Sequence, residues 1–303
     1  MLSIVEFSPT HGAPGESIRI FGTEFSPVPS QNRVTFSRGG SRSGVSAPVL
    51  WSTSTAIVIR IPTGATTGPI TVSTSDGSAT SNEPFTVTES PLAGPTGRPQ
   101  VLAVTPPIVA GGDTVTVSGN NFSTLVSDNT VAFNGAAGSV RWATATELEA
   151  VLPATASSGR VTITTPLGTS GSSRDLFVVP RPYTVADVGC TGRVLVNGTA
   201  RRFSVSRPRA LALDLIALVV FDGITGQGLT LALSDVAIPD LDVSVLSPDA
   251  NAVIQTARVR AGGAPHVIEL PPLPLTGTYA IVLCPCHIRT GNVTLTLTAS
   301  GAE

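Results

Sequence analysis

Short runs of alternating apolar and polar residues recur along the chain, and they predict β-strands rather than helices. In the first part of the chain such runs lie at Ile18–Phe21, Val34–Phe36, Ala56–Ile61 and Ile70–Ser73. A period of two is typical of a sheet with one solvated face. The dipeptide Asp76-Gly77 follows the last of these runs and is a hairpin turn signal. About seven such strands within residues 1–88 predict a small immunoglobulin-like sandwich.

The same pattern occurs a second time further along the chain. The segment Ser3–Phe25 returns at positions 100–122, and each matching residue is shifted by 97 positions. The shared residues are Pro9 and Pro106, Gly15 and Gly112, Gly22 and Gly119, and Phe25 and Phe122. An internal repeat of this kind sets the architecture of a chain. We therefore predict a second sandwich of the same type over residues 101–180.

Both copies share an order of motifs that extends beyond the first hairpin. The order Pro…Gly…Gly-x-x-Phe, then Val-x-Phe, a Trp-bearing strand, [Ile/Leu]-Pro and Gly-x-[Ile/Val]-x-[Val/Ile] resembles the IPT/TIG domain over residues 1–88 and 100–180. The resemblance implies an immunoglobulin-like fold in which Phe25 and Phe122 fill the cores. It also implies a spacer, an adhesive module or an enzyme appendage, whereas the members in transcription factors contact DNA. The basic loops of those DNA-binding members are not evident beyond Arg38 and Arg42.

The two tryptophans of the chain occupy equivalent positions in the two copies. Trp51 returns as Trp142 after a loop that is shorter by six residues in the second copy. Equivalence between copies favours packing inside each sandwich, so we expect both side chains in the cores. An exposed platform on which a sugar ring stacks is the alternative.

Residues 183–303 are also rich in predicted strands, but they are not a third copy. The segments 221–223, 226–231, 243–249, 273–279 and 291–297 resemble the bacterial pre-peptidase C-terminal type of β-sandwich. Where that pattern has Asp-Pro, this chain has Cys284-Pro285. Residues 89–100 are rich in Pro and Gly and predict a linker. The sequence thus predicts an all-β chain of three tandem β-sandwiches, two immunoglobulin-like (1–88 and 101–180) and one jelly-roll-like (183–303).

Composition and charge narrow the classes of function. Charged residues make up 13% of the chain, well below the usual quarter, and the net charge of -2 argues against a general nucleic-acid binder. No stretch is long and apolar enough to span a membrane. Met1 leads directly into the first predicted strand, so we expect no signal peptide in this chain.

Three cysteines are the candidates for disulfide bonds: Cys190, Cys284 and Cys286. A bond from Cys190 to one of the other two is the favoured interpretation outside a reducing cytosol. Cys284 and Cys286 lie two apart on a predicted strand, so they point to one face and pair poorly with each other. The alternatives are buried thiols, or a metal site in which His287 joins the cysteines.

Two clusters of charged residues are further candidates for binding. Five arginines lie close together in the sequence and could contact an acidic partner, although a solvated strand face is the more ordinary interpretation: Arg193, Arg201, Arg202, Arg207 and Arg209. Four aspartates flank one predicted strand and offer an alternative calcium site, with solvated turns as the default: Asp235, Asp240, Asp242 and Asp249. We otherwise expect no cofactor.

The sequence contains no motif for a catalytic nucleophile, a metalloprotease, a phosphate loop or a dinucleotide site. We therefore expect a non-enzymatic structural or adhesive protein. The favoured hypothesis is a phage or phage-like virion component (decoration, spike, collar or tail-associated) that forms homo-oligomers or contacts capsid or tail subunits. The alternative is a secreted bacterial cell-surface or carbohydrate-binding appendage, with a cell-surface glycan as its partner.

Overall fold

The computed structural model describes residues 2–38, 44–88, 97–205, 215–249, 251–262, 265–285 and 291–299. In these residues the chain forms β-strands and three short 3-10 helical turns, at Pro29–Gln31, Val126–Asp128 and Val185–Asp187. The all-β prediction is confirmed. The strands assemble into three sandwiches, which we call the first, second and third sandwich in chain order.

The first sandwich packs two four-stranded sheets face to face, with orders β1-β3-β7-β6 and β5-β4-β8-β9. Its strands are β1 Ser3–Ser8, β2 His11–Gly12, β3 Ser17–Thr23, β4 Arg33–Phe36, β5 Val45–Ala47, β6 Val49–Ser52, β7 Ala56–Arg60, β8 Thr71–Thr74, β9 Gly77–Thr80 and β10 Thr86–Val87. The short strands β2 and β10 pair in parallel. β8 and β9 form the hairpin that Asp76-Gly77 predicts.

The second sandwich repeats this arrangement. Its strands are β11 Gln100–Thr105, β12 Ile108–Ala110, β13 Thr114–Asn120, β14 Thr130–Phe133, β15 Ala136–Ala137, β16 Ser139–Ala143, β17 Glu147–Val151, β18 Gly159–Thr165 and β19 Gly168–Val179. The sheets have the orders β11-β13-β17-β16 and β12-β19-β18-β14-β15. β12 pairs in parallel with β19, as β2 does with β10.

The repeated Gly-x-x-Phe motif has a steric reason. A Cβ atom on Gly119 would overlap the ring of Phe122 and the carbonyl oxygen of Gln100, and one on Gly22 would overlap the ring of Phe25 in the same way. Both phenylalanine rings are buried in the core clusters of their sandwiches. The glycine thus leaves room for the aromatic ring that closes one end of the core, as the resemblance implied.

The third sandwich has a different topology, with sheets β20-β22-β27-β24-β25 and β21-β28-β23-β26. Its strands are β20 Val188–Arg193, β21 Arg201–Val205, β22 Ile216–Gly223, β23 Leu229–Ser234, β24 Asp240–Leu246, β25 Val253–Arg260, β26 His266–Leu270, β27 Gly277–Pro285 and β28 Gly291–Ala299. In its core Tyr279 stacks on Phe221 and exchanges two hydrogen bonds with the backbone of Leu275.

Candidate functional site

The features of the described residues that bear on function are the contacts between the sandwiches. The first junction joins the outer faces of two equivalent sheets. Arg19 on β3 points away from the core because its neighbours Ile18 and Ile20 are buried inside it. Its guanidinium forms an ion pair with Glu149 on β17 and lies 4.9 Å from the ring centroid of Trp142.

Further contacts surround this ion pair. Thr124 of the second sandwich donates a hydrogen bond of 2.7 Å to Oε1 of Glu16 in the first. The other carboxylate oxygen of Glu16 accepts one from the Ala13 backbone at 2.8 Å, which fixes the buried side chain. On the opposite side, the Arg141 guanidinium lies 5.6 Å from the ring centroid of Trp51. Arginine and tryptophan side chains therefore alternate across the junction.

This arrangement corrects the expectation that both tryptophans belong to the cores. Trp142 is buried and Trp51 is half-buried, but neither is part of a sandwich core. Nε1 of Trp142, Nε of Arg19 and Oε1 of Glu149 are buried without a hydrogen-bond partner among the described residues. The junction is thus stabilised by charge and by ring contacts, and its polar groups are only partly hydrogen-bonded.

The second junction, between the second and third sandwiches, contains a direct hydrogen-bond bridge. Asn134 adopts a left-handed backbone conformation with φ 47°. Its Nδ2 donates to the carbonyl oxygen of Thr278 at 2.8 Å, and its Oδ1 accepts from the Thr278 backbone N–H at 3.3 Å. Ser157 adds a hydrogen bond of 2.6 Å to the carbonyl oxygen of Pro248.

An ion-pair network crosses the same junction. Arg193 on β20 donates two hydrogen bonds, of 2.8 and 2.7 Å, to the carboxylate of Asp175 on β19. It also pairs with Asp222 on β22, which accepts a further bond from Thr278 at 2.8 Å. The hydrogen bonds that Arg193 donates to Asp175, and to a lesser extent the one that it donates to Asp222, raise the pKa of Arg193 above its usual value, whereas burial lowers it. The guanidinium therefore stays charged, and its ion pair with Asp175 joins the two sandwiches.

Apolar packing completes the second junction. The outer face of the β20-β22-β27-β24-β25 sheet carries a second apolar cluster that includes Leu218, Val220 and Val282, all of them buried. Phe177 at the end of β19 and Tyr183 after it pack against this cluster. A sheet face that a lone sandwich would expose to water is therefore covered here.

The cysteines predicted to form disulfides lie on different faces of one sheet. Cys190 on β20 packs against the core, and burial raises the pKa of its thiol. Cys284 on β27 packs against the outer cluster. Because β22 lies between these strands, their backbones are about 9–10 Å apart, which is beyond the reach of a disulfide. The prediction of a direct Cys190–Cys284 disulfide is therefore wrong. Cys286 and His287 lie outside the described residues, so a disulfide between Cys190 and Cys286 stays a prediction.

Of the predicted arginine cluster, the structure describes three members, and these differ in their surroundings. Arg193 is engaged inside the chain with Asp175 and Asp222, so its assignment as a partner contact needs correction. Arg201 and Arg202 are exposed on the edge strand β21 and stay candidates for a partner contact. Arg207 and Arg209 lie outside the described residues.

In the described residues, the candidate aspartates do not come together as a set of calcium ligands. Asp242 pairs with Arg258 at 2.7 and 3.0 Å, and Asp240 lies 3.7 Å from Arg260. Asp235 accepts a hydrogen bond from a threonine of β28. Within the described ranges, no group of three or more His, Cys, Asp or Glu side chains is placed to hold a metal ion, and Asp249 joins none.

The described part of the chain also contains no helix with the length and apolar character needed to cross a membrane. At the second junction, a cavity of about 480 Å³ is lined by Arg181, Tyr183 and Asn251 together with apolar residues. The second junction thus offers a surface of mixed polar and apolar character.

Comparison with protein families agrees with the two predicted immunoglobulin-like modules. The model of the IPT/TIG domain family matches residues 2–87 and 99–179. A comparison with curated proteins found no match. Among solved structures, an auxiliary nutrient binding protein from Bacteroides ovatus is similar at 21% identity and a TM-score of 0.26, over 28% of this chain and 22% of that chain. The matched region is thus about a fifth of that protein's length.

Two further solved structures are similar at low identity. SGBP-B from a complex xyloglucan utilization locus in Bacteroides uniformis is 14% identical, with a TM-score of 0.22, over 99% of this chain and 100% of that chain. The pre-peptidase C-terminal domain of a collagenase from Bacillus anthracis is 11% identical, with a TM-score of 0.28, over 35% of this chain and 93% of that chain. The family assignment rests on the domain model, whose two tandem matches together cover more than half of the sequence. The chain belongs to the IPT/TIG domain family.

Proposed function

We propose that the protein is a non-enzymatic structural and adhesive protein that acts through protein–protein or surface contacts. The observation that carries this proposal is the closure of both junctions by charged and hydrogen-bonded side chains that are buried or half-buried. Contacts between domains are by default loose enough to permit relative motion. Here Arg19 with Glu149 at the first junction, and Asn134 with Thr278 at the second, oppose such motion.

The exposed surface supports the same proposal. The chain exposes 14633 Å² of surface, whereas a compact protein of its mass would expose about 12,000 Å². Three joined sandwiches with extra surface provide large faces for contacts and hold them at set positions. A protein that acts by binding other surfaces benefits from this arrangement, because domains whose relative orientation is already fixed lose less entropy on binding.

The finer hypothesis is a component of a phage or phage-like virion, as a decoration, spike, collar or tail-associated protein. The low content of charged residues and the exposed Arg201 and Arg202 on an edge strand support contacts with capsid or tail subunits. The test is co-sedimentation of the full chain with purified particles in a density gradient. We expect the wild type and the control variant Arg33→Glu to sediment with the particles. The double variant Arg201→Glu/Arg202→Glu should be absent from the particle fraction. Absence of the wild type from particles would overturn the virion assignment.

A secreted cell-surface or carbohydrate-binding appendage is the second candidate. It is favoured by the 480 Å³ cavity at the second junction, where the aromatic ring of Tyr183 lies beside the polar side chains of Arg181 and Asn251. Such a combination suits a sugar ring and its hydroxyl groups. A glycan array separates the two candidates. Binding by a monomer that disappears in Arg181→Ala, an exposed position, would support the appendage over the virion component.

A further inference from the structure

A groove of about 860 Å³, which we call the junction groove, runs between the second and third sandwiches. One wall is β11, including Leu102 and Val104, together with the part of β19 around Phe177. The other wall is β20, at Thr191–Arg193. The ion pair of Arg193 with Asp175 ties the two walls together, so the groove has a fixed width.

Both walls of the junction groove are edge strands. β11 stands at the end of its sheet and bonds only to β13, and β20 stands at the end of its sheet and bonds only to β22, counting the described strands. Each wall therefore presents a row of backbone N–H and C=O groups without a strand partner. Proteins usually cover or blunt such edges, because an open edge is a template for pairing with another strand.

The side chains of the groove leave these backbone groups accessible and provide an apolar floor. Ala103 on one wall and Gly192 on the other are too small to shield the backbone. Phe177 is half-buried in the floor. Leu102, at the β-bulge of β11, is 64% exposed. A large apolar side chain beside an open edge favours an occupant that brings apolar side chains of its own.

Charge at the rim adds a preference. Asp175 is neutralised by Arg193, whereas the exposed Arg174 forms no ion pair with a described residue. The rim therefore carries one cation that a carboxylate could pair with.

We propose that the junction groove binds an extended segment of a partner protein, which adds a strand to β11 or β20. Both edge strands are six residues long, so the segment spans about five or six residues. Side chains alternate along a strand, so alternate residues of the segment are apolar and face Leu102 and Phe177. An acidic residue pairs with Arg174. A helix would not use the edges, because its backbone groups are already bonded within the helix.

This inference specifies the partner class for the proposed contact function and rests on it. The test is selection of displayed random hexapeptides on the immobilised full chain. We expect enrichment of sequences with alternating apolar residues and at least one acidic residue. Leu102→Arg should reduce binding of the enriched peptides at least tenfold, because the new charge lies in the groove. Arg174→Glu should change the selected charge from acidic to basic.

Val5 supplies the matched control. It occupies the equivalent position at the bulge of β1, is 72% exposed and lies in the first sandwich away from the groove. Val5→Arg should leave peptide binding unchanged, and thermal unfolding should show all three variants folded. The proposal is overturned if no such peptides are enriched, if they bind the Leu102→Arg variant as tightly as the wild type, or if Val5→Arg reduces their binding as much as Leu102→Arg does. It is also overturned if Leu102→Arg only dissociates an oligomer, since a second copy would then occupy the groove. Failure of the selection together with persistent co-sedimentation would refute the groove and leave the contact function standing.

Discussion

Replacing Arg19 with alanine should uncouple the first sandwich from the second. The Arg19 guanidinium is the ion-pair partner of Glu149, whose side chain is only 11% exposed. The same group lies 4.9 Å from the ring centroid of Trp142 and 5.9 Å from that of Trp51. The substitution therefore leaves a carboxylate in a mostly dry junction and removes the cation between two aromatic rings.

The magnitude follows from these contacts. A buried charge that loses its partner costs about 3–5 kcal/mol, and each ring contact contributes about 0.5–2 kcal/mol. If the sandwiches separate instead, water reaches Glu149. The destabilisation then cannot exceed the free energy that the closed junction contributed. Glu149→Gln should cost less, since the amide oxygen of Gln can still accept a hydrogen bond from Arg19 and the guanidinium keeps its contacts with both tryptophan rings. Arg19→Met combined with Glu149→Leu should be close to neutral, because apolar residues of similar size can replace a buried pair.

Calorimetry and small-angle X-ray scattering measure this effect together. Each sandwich has its own apolar core, so Arg19→Ala should split off a transition for the first sandwich at lower temperature and raise the radius of gyration. Arg33→Ala is the matched control, since Arg33 is an exposed arginine of the same sandwich. If Arg19→Ala changes neither quantity more than Arg33→Ala does, the first junction does not hold the sandwiches together.

Further predictions concern single positions. Gly119→Ala should destabilise the second sandwich by about 2 kcal/mol or more through overpacking. Gly171→Ala should not, because its added Cβ meets no atom closer than 3.7 Å. Urea unfolding of the two variants measures the difference. Tyr279→Phe removes two hydrogen bonds and should cost about 1–3 kcal/mol in the same assay. Asn134→Ala should raise the radius of gyration by loosening the second junction. Burial raises the pKa of the Cys190 thiol, so as the pH rises the thiol ionises first in the unfolded state. The free energy of unfolding should therefore fall above pH 9.0, by at most about 1.4 kcal/mol per pH unit. Cys190→Ala should reduce that fall.

Local sequence patterns predicted most of the strands and both immunoglobulin-like sandwiches. Alternation, turn residues and the repeat are local signals, and strands such as Leu229–Ser234 carry them clearly. β20 carries no such signal, because its sequence holds two glycines and little alternation, and it pairs in parallel with β22, a partner distant in sequence. Nothing near β20 in the sequence indicates that pairing.

The junctions could not be predicted in the same way. The repeat correctly placed Trp51 and Trp142 at equivalent positions, but equivalence did not reveal that Arg19 of one sandwich lies over a ring of the other. Similarly, the arginine cluster did not reveal that Arg193 pairs with Asp175 across the second junction. The alternating pattern determined which residues leave the core of each sandwich. Only the tertiary structure decided whether an outward side chain meets water or another sandwich, because that depends on how the sandwiches pack on one another, as in the contact between Arg19 and Glu149, which are 130 positions apart in the sequence.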